Sequence, residues 1–523
     1  MTAIGRFALK SETINNPSIP TFFLALSDKI DKNTDSLTNN NSSSDSSSLS
    51  IEELESTWKS KKIFEKHPRF SYCISKDPKN DYFFHPRTHN GTSKLVSLDV
   101  KDYIKESILH YAIPRDELRY KIQSLLIKPL DISNQGLWEG VLSTGTLGSS
   151  GAIPASIVKQ IKQQNSKKKA KDLKETVILF RAHHAMADGV SLANVITDLS
   201  DESEMINDSI AKQMMSIKKK KKQLSFWERM LMRLYKVINF WFIGSIKALL
   251  YHGLLLLTSN SIYNNDNTAT SESSRSVSWC NAASVDEIKQ IIKILSPGST
   301  INDVFVSCVS AAILQQMKEN NIIKSNVKQV PLPHTMNVVI PVHLTGGIIP
   351  PGESMGNRIG AMVVRIPGEN ATNDAALDRL SNVSKSIKTL KSTPSAFLSY
   401  YLAKFFSSIS SSDNNTITQK IIQYSNANAI CVISNVRAPT FPLHIQNKQI
   451  HSLVGFLPLP AGVPIGVVIQ SYNGMLSLSV TTSDKDIIPD PDRFLKLVLM
   501  EYGKLYMEAK EKQLKLVGEQ KSI

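Results

Sequence analysis

The sequence predicts an α/β protein of two domains. Its 523 residues, 41% of them hydrophobic, suffice for two sizeable cores and are too many for one ordinary domain. The run Thr176-Val177-Ile178-Leu179-Phe180 is unbroken β-branched and apolar sequence, the pattern of a strand covered on both faces. Leu192, Val195, Ile196 and Leu199 then recur at helical spacing, so this strand passes through a loop into a helix.

Along the chain, Met1 to Lys10 lacks the long apolar core of a signal peptide, and secretion is not expected. Residues 31–50 are rich in Asn and Ser, a composition that buries too little apolar area to offset chain entropy, and are expected to be disordered. The four cysteines, Cys73, Cys280, Cys308 and Cys431, lie far apart without metal-ligand spacing, as reduced buried thiols would; no metal is expected. The net charge of +15 is concentrated in Lys167-Lys168-Lys169-Ala170-Lys171 and in the run Lys218 to Lys222. Neither tract carries interleaved aromatics, so an anionic lipid surface is the better match and nucleic acid is not expected.

Ser225-Phe226-Trp227-Glu228 has the form of a capping box and opens a Pro-free stretch that runs to Leu254-Leu255-Leu256-Leu257. Lys247 would sit near the middle of a membrane span, at a cost of roughly 2.5–3.5 kcal/mol. At about 100° per residue, Arg229, Arg233, Lys236, Asn239 and Lys247 share one face, which favours a helix lying on a membrane over one crossing it. A polar linker, 264–275, precedes the second half, which opens near Ser276-Val277-Ser278-Trp279. Asn302 and Asp303 start a helix continued by Val304, Val306, Val309, Ala312 and Ile313, where capping and catalysis are equally natural roles. Asn435 follows the β-branched run Ile430 to Ile433, and Asn473-Gly474 marks a hairpin with a type I′ turn.

The chemistry lies in His183-His184-Ala185-Met186-Ala187-Asp188-Gly189, between the central strand and its helix. A neutral imidazole accepts a proton from a hydroxyl near neutral pH, because its ordinary pKa is about 6.5. Asp188 suits capping of the following helix or pairing with an arginine, and Gly189 suits backbone angles that a Cβ resists.

This HHxxxDG pattern resembles that of the condensation-domain and chloramphenicol-acetyltransferase superfamily. Further segments make the chain similar to the wax ester synthase/diacylglycerol acyltransferase family. These are Pro129-Leu130-Asp131 with Gly136-Leu137-Trp138-Glu139, Asn302-Asp303, Asn337 to His343, Gly356-Asn357-Arg358-Ile359-Gly360 and Ser434-Asn435-Val436-Arg437-Ala438-Pro439. Gly136 replaces a usual proline, and Thr345 falls where many bacterial members carry an arginine, leaving Arg358, Arg365 and Arg437 as candidate partners of Asp188.

The resemblance implies two chloramphenicol-acetyltransferase-like α/β sandwich domains with an active-site tunnel between them. It implies an O-acyltransferase that moves a fatty acyl group from acyl-CoA to a long-chain alcohol or diacylglycerol, with no cofactor besides that co-substrate. His184 would be the general base, His183 and Asp188 would hold the loop with Gly189, and Trp138, Asn302, Asp303 and Asn435 would bind substrate or brace the site. The alternatives are another acceptor alcohol, or a lipid-binding protein without turnover. The boundaries drawn are 1–57 for an N-terminal segment, 58–215 for the first domain, 216–275 for the crossover helix and linker, and 276–523 for the second domain. Residues 218–257 are expected on a membrane surface, at the cytosolic face of the endoplasmic reticulum or on lipid droplets.

Overall fold

The computed structural model describes residues 1–12, 16–27, 48–77, 81–87, 102–106, 115–165, 172–222, 225–257, 275–323, 332–347, 349–350, 352–368, 375–408, 429–460, 462–483 and 487–521. The first lysine tract, most of the Asn/Ser-rich stretch and most of the 264–275 linker lie outside them, as do the side chains of the second lysine run.

The strands are β1 (Thr21–Ser27), β2 (Tyr72–Lys76), β3 (Tyr82–Pro86), β4 (Ile104–Glu106), β5 (Trp138–Thr146), β6 (Lys174–Ala182) and β7 (Ser276–Ser284) in the first part of the chain. Then come β8 (Thr335–His343), β9 (Ile359–Pro367), β10 (Cys431–Arg437), β11 (His444–Ile445), β12 (Lys448–Phe456), β13 (Ile465–Tyr472) and β14 (Met475–Thr482). They form two six-stranded mixed sheets, ordered β11-β12-β1-β6-β5-β4 and β7-β14-β13-β10-β8-β9, and a separate β2-β3 hairpin.

The strand expected on both faces is β6, held between β1 and β5. Ile178 and Phe180 face a core shared with the helix Gly189–Leu199, while Val177 and Leu179 face a second core beneath the helix Arg115–Ile127. This two-sided burial explains its continuous apolar run. Asn473 and Gly474, with φ of 48° and 73°, make the expected tight turn between β13 and β14.

The sheets do not respect the boundaries drawn on the sequence. β1 lies before residue 58, yet it occupies the middle of the first sheet between β12 and β6. β11 and β12 come from the C-terminal part of the chain and complete the same sheet, with Ser27 Oγ and His451 Nε2 2.9 Å apart across β1 and β12. Leu443, Ile445, Ile450 and Leu453 accordingly share a core with Trp58 and Phe180. Strand exchange of this kind leaves no local signal, because β12 carries the same alternation whichever sheet receives it.

The apolar stretch forms three consecutive helical segments, Phe226–Tyr235, a π-helical Lys236–Ile243 and Gly244–Leu257. The Ser225–Glu228 capping box is present. The π turn changes the angular phase, so a face reckoned at one constant angle does not carry from Arg233 to Lys247. At its end Gly244 N–H bonds to Asn239 O, and a Cβ on Gly244 would lie 3.0 Å from Pro394 Cδ. Gly244 and Ala248 thus turn toward the second domain, while Phe242, Ile246, Leu249 and Leu250 point outward and are exposed. Among the described residues, no helix is long and apolar enough to cross a membrane.

At its edge the second sheet is packed backbone to backbone. A Cβ on Gly360 of β9 would lie 1.8 Å from the Ala396 carbonyl oxygen in the helix Ser395–Ser408. Gly360→Ala should therefore destabilise the protein by about 3 kcal/mol or more. Gly503→Ala, in the C-terminal helix Pro491–Lys521 with open space around it, should be neutral or stabilising by up to about 1 kcal/mol. Urea midpoints of the two variants test the contrast.

Candidate active site at the domain seam

The motif loop leaves β6 with its backbone already bonded. His183 N–H donates to Leu137 O at 2.7 Å, His184 N–H to Ser18 O at 2.8 Å, and Met186 N–H to His183 O at 2.8 Å. His183 is a brace rather than a reacting group. Its Nδ1 accepts from Ala185 N–H at 3.0 Å, so Nε2 carries the proton and donates to Glu12 Oε2 at 2.9 Å. Glu12 was not expected here; it follows the helix Ala3–Ser11, whose Gly5 lies so near the loop that a Cβ would be 2.9 Å from Ala185 O.

His184 is half-buried at the seam between the domains. Desolvation pushes its pKa below the ordinary histidine value, against smaller opposing effects of the Asp188 charge and of hydrogen bonds with backbone groups at Ala187 and at His184 itself. Those backbone bonds favour the charged ring, so their partners are carbonyls accepting a ring N–H.

Asp188 is fully buried, and it caps the helix Gly189–Leu199 by accepting from Ser191 N–H at 2.8 Å through Oδ1. Through Oδ2 it accepts from the backbone N–H of Arg358, also at 2.8 Å, and lies 3.6 Å from His343 Nε2. None of the three arginine guanidinium groups considered from sequence is its hydrogen-bond partner; that of Arg358 pairs with Glu353 instead. The guanidinium acting on Asp188 electrostatically is that of Arg69, which also donates to Met186 O at 2.7 Å. Thr345, where an arginine was expected, lies 3.0 Å from His343 Nδ1 through its hydroxyl.

The second domain reaches the loop through the segment 355–358. Asn357 Nδ2 donates to His184 O at 2.6 Å, Asp188 N–H donates to Gly356 O at 3.0 Å, and Ser191 Oγ donates to Gly356 O at 2.9 Å. Behind it, Met355 N–H donates to His67 Nδ1, whose Nε2 is 2.9 Å from Asp198 Oδ2. Gly356-Asn357-Arg358 was visible as a motif, but its task of gripping the histidine loop was not.

The remaining expected residues divide. Gly189 is the first residue of its helix and is not among those with positive φ, so its expected special backbone angle is not observed. Its Hα side faces Val436 of β10, 3.7 Å from where a Cβ would stand. Asn435, beside Val436, is half-buried near this seam. Trp138 is 2% exposed, donates from Nε1 to Phe70 O and stacks on Tyr103 at 4.6 Å, so it is core structure. Gly136, ahead of it, has φ of 118°, an angle closed to the proline it replaces. Asp303 spends its carboxylate on Thr300 N–H at 2.9 Å and Ser384 Oγ at 3.2 Å, capping the helix Ile301–Ile323 with Asn302 in its first turn. That pair belongs to the second domain's own framework. Among the described residues, no cluster of three or more His, Cys, Asp or Glu side chains is placed to hold a metal ion.

The burial of His184 yields a direct check. Its imidazole should titrate below the ordinary value of about 6.5 in ¹⁵N-edited NMR, and Asp188→Asn should lower it further by removing the charge that favours imidazolium. The stability linked to this group is present above the ordinary value and is lost as pH falls through the depressed one. Titration at or above 6.5 would contradict the desolvated site.

Residues 355–505 match the family model described as the WS/DGAT C-terminal domain. No curated protein sequence matches the chain. Among solved structures, the wax ester synthase/diacylglycerol acyltransferase from Marinobacter aquaeolei VT8 superposes with a TM-score of 0.51 at 13% identity, over 98% of this chain and 99% of that one. The trichothecene 15-O-acetyltransferase from Fusarium sporotrichioides gives 0.55 at 14% identity, over 96% and 94%. The first condensation domain of the calcium-dependent antibiotic synthetase gives 0.53 at 10%, over 97% and 94%. The chain therefore shares the fold of these acyltransferase and condensation-domain structures, and its residues 355–505 are similar to the WS/DGAT C-terminal domain.

Proposed function

We propose that this protein is an O-acyltransferase that moves a fatty acyl group from acyl-CoA to the hydroxyl of a long-chain alcohol or of diacylglycerol. The observation that carries the reading is His184, a desolvated imidazole at the domain seam whose backbone is bonded by Ser18 on one side and by Asn357 of the second domain on the other. In this reaction the neutral imidazole takes the acceptor's hydroxyl proton as the oxygen attacks the thioester carbonyl. The carbon–sulfur bond then breaks, and the proton passes to the departing CoA thiolate. No covalent acyl-enzyme is needed. In this reading Asn435 acts near the developing oxyanion, and Asp188, His183 and Asn357 keep the loop in position.

The test is transfer from radiolabelled palmitoyl-CoA to hexadecanol or diacylglycerol, with His184→Ala alongside. Wax ester or triacylglycerol should form with the intact protein and fall by at least about 100-fold in the variant. Binding of acyl-CoA without either product would favour a lipid-binding protein or a different acceptor.

The same reading places the protein on a membrane surface, the endoplasmic reticulum or a lipid droplet, from which such acceptors are drawn. It is supported by the outward face of the helix Gly244–Leu257, where Leu249 and Leu250 are 67% and 70% exposed. Tyr401, Leu402 and Phe405 extend the exposed apolar surface on the helix Ser395–Ser408, which meets the π-helical segment Lys236–Ile243 through Phe397 and Trp241. Continuous apolar surface of this kind marks an interaction face, and the lysine run Lys218 to Lys222 would add attraction to anionic lipid. Flotation with phosphatidylserine-containing vesicles should carry the protein upward, and Leu249→Glu with Leu250→Glu should abolish most of that binding. Recovery of the unaltered protein at the bottom of the gradient would refute the docking.

A further inference from the structure

The outward face of the second sheet leads away from His184. In β8, β9 and β10, alternate side chains such as Val338, Val364 and Ile433 are fully buried in the core. Their neighbours on the opposite face are half-buried throughout. On the adjoining β13 that face is covered by the other domain, since Gly455 N–H of β12 donates to Gln470 Oε1 at 3.0 Å. Gln470 pairs in register with Val436, the residue that reaches Gly189. The half-buried face thus forms a wall that begins at His343 beside Asp188.

Six residues back along β8, roughly 20 Å away, the wall changes character. Val339 and Pro341 give way to Asn337, which lies directly opposite Arg365 on β9. Arg365 Nε and Nη2 and Asn337 Oδ1 are enclosed and have no hydrogen-bond partner among the described residues. The backbone N–H of Arg365 is already used, donating to Tyr251 Oη at 2.7 Å from the helix Gly244–Leu257. Enclosed guanidinium nitrogens without acceptors are unfavourable, and the planar fork of an arginine matches a phosphate. Exchange of oxygen and nitrogen in the Asn337 amide supplies a further donor.

We propose that Arg365 and Asn337 bind a phosphate of the CoA thioester, an assignment that rests on the acyl-transfer reading above. With the thioester at His184, an extended pantetheine arm crosses the apolar wall and brings the phosphates to this pair. The acyl chain and the acceptor's hydrocarbon tail carry no group that would satisfy the guanidinium.

Palmitoyl-pantetheine, which has the thioester but no phosphate, separates this contact from the chemistry. Arg365→Gln should raise KM for palmitoyl-CoA by about tenfold or more while leaving KM for palmitoyl-pantetheine nearly unchanged. Arg365→Lys should restore part of the loss, and Asn337→Asp should raise KM for the CoA ester alone by repelling the phosphate. Calorimetric binding of free CoA and free pantetheine reads the same contact without turnover. An Arg365→Gln protein that binds CoA as tightly as the unaltered chain, or that loses both donors equally, would overturn the assignment. An unaltered protein that binds CoA but transfers acyl from neither thioester would instead overturn the acyl-transfer reading.

Discussion

The Asp188 carboxylate is the point on which both domains close. One oxygen accepts a backbone N–H from the first turn of its own helix, and the other accepts one from Arg358 across the seam, with His343 nearby. A buried carboxylate is expensive unless its oxygens are bonded, and bonds to charged acceptors each contribute about 1.5–3 kcal/mol. The residue therefore stabilises the fold only when the two domains are correctly placed. Its position four residues after His184 ties the geometry of the histidine loop to that placement.

A second constraint reinforces the first. The segment 355–358 has few side chains with chemistry of their own, yet its backbone and Asn357 take up the exposed donors and acceptors of the histidine loop. From the other side, Glu12 and His183 fix the loop through a side chain supplied by the N-terminus. His184 is thus held by main-chain bonds on both flanks, while its own ring faces the seam. A loop so held is preorganised.

The apolar helices lie against the edge of the second sheet. The helix Gly244–Leu257 presents leucines outward while Tyr251, on the same helix, bonds the edge of β9 at Arg365. The exposed leucines and the edge of β9 are therefore joined by one element. The π turn at Lys236–Ile243 and the absent side chain at Gly244 let that element lie against Thr393 and Pro394.

The sequence by itself determined the class of fold, the central strand, the motif loop, the hairpin at Asn473-Gly474 and the capping box at Ser225–Glu228, because each is a local pattern of a few residues. Its reading of Asp303 kept capping as a full alternative, and the structure puts that carboxylate in the cap. Only the tertiary structure decided that β12 joins the first sheet, that Asp188 bonds a backbone amide rather than an arginine, and that Glu12 supports His183. It also decided that Trp138 is core and that a π turn rotates the apolar helix. These depend on partners far apart in the chain, from Glu12 with His183 to Asp188 with Arg358. Neither periodicity nor spacing records which distant backbone group will be left without a partner and which side chain will meet it.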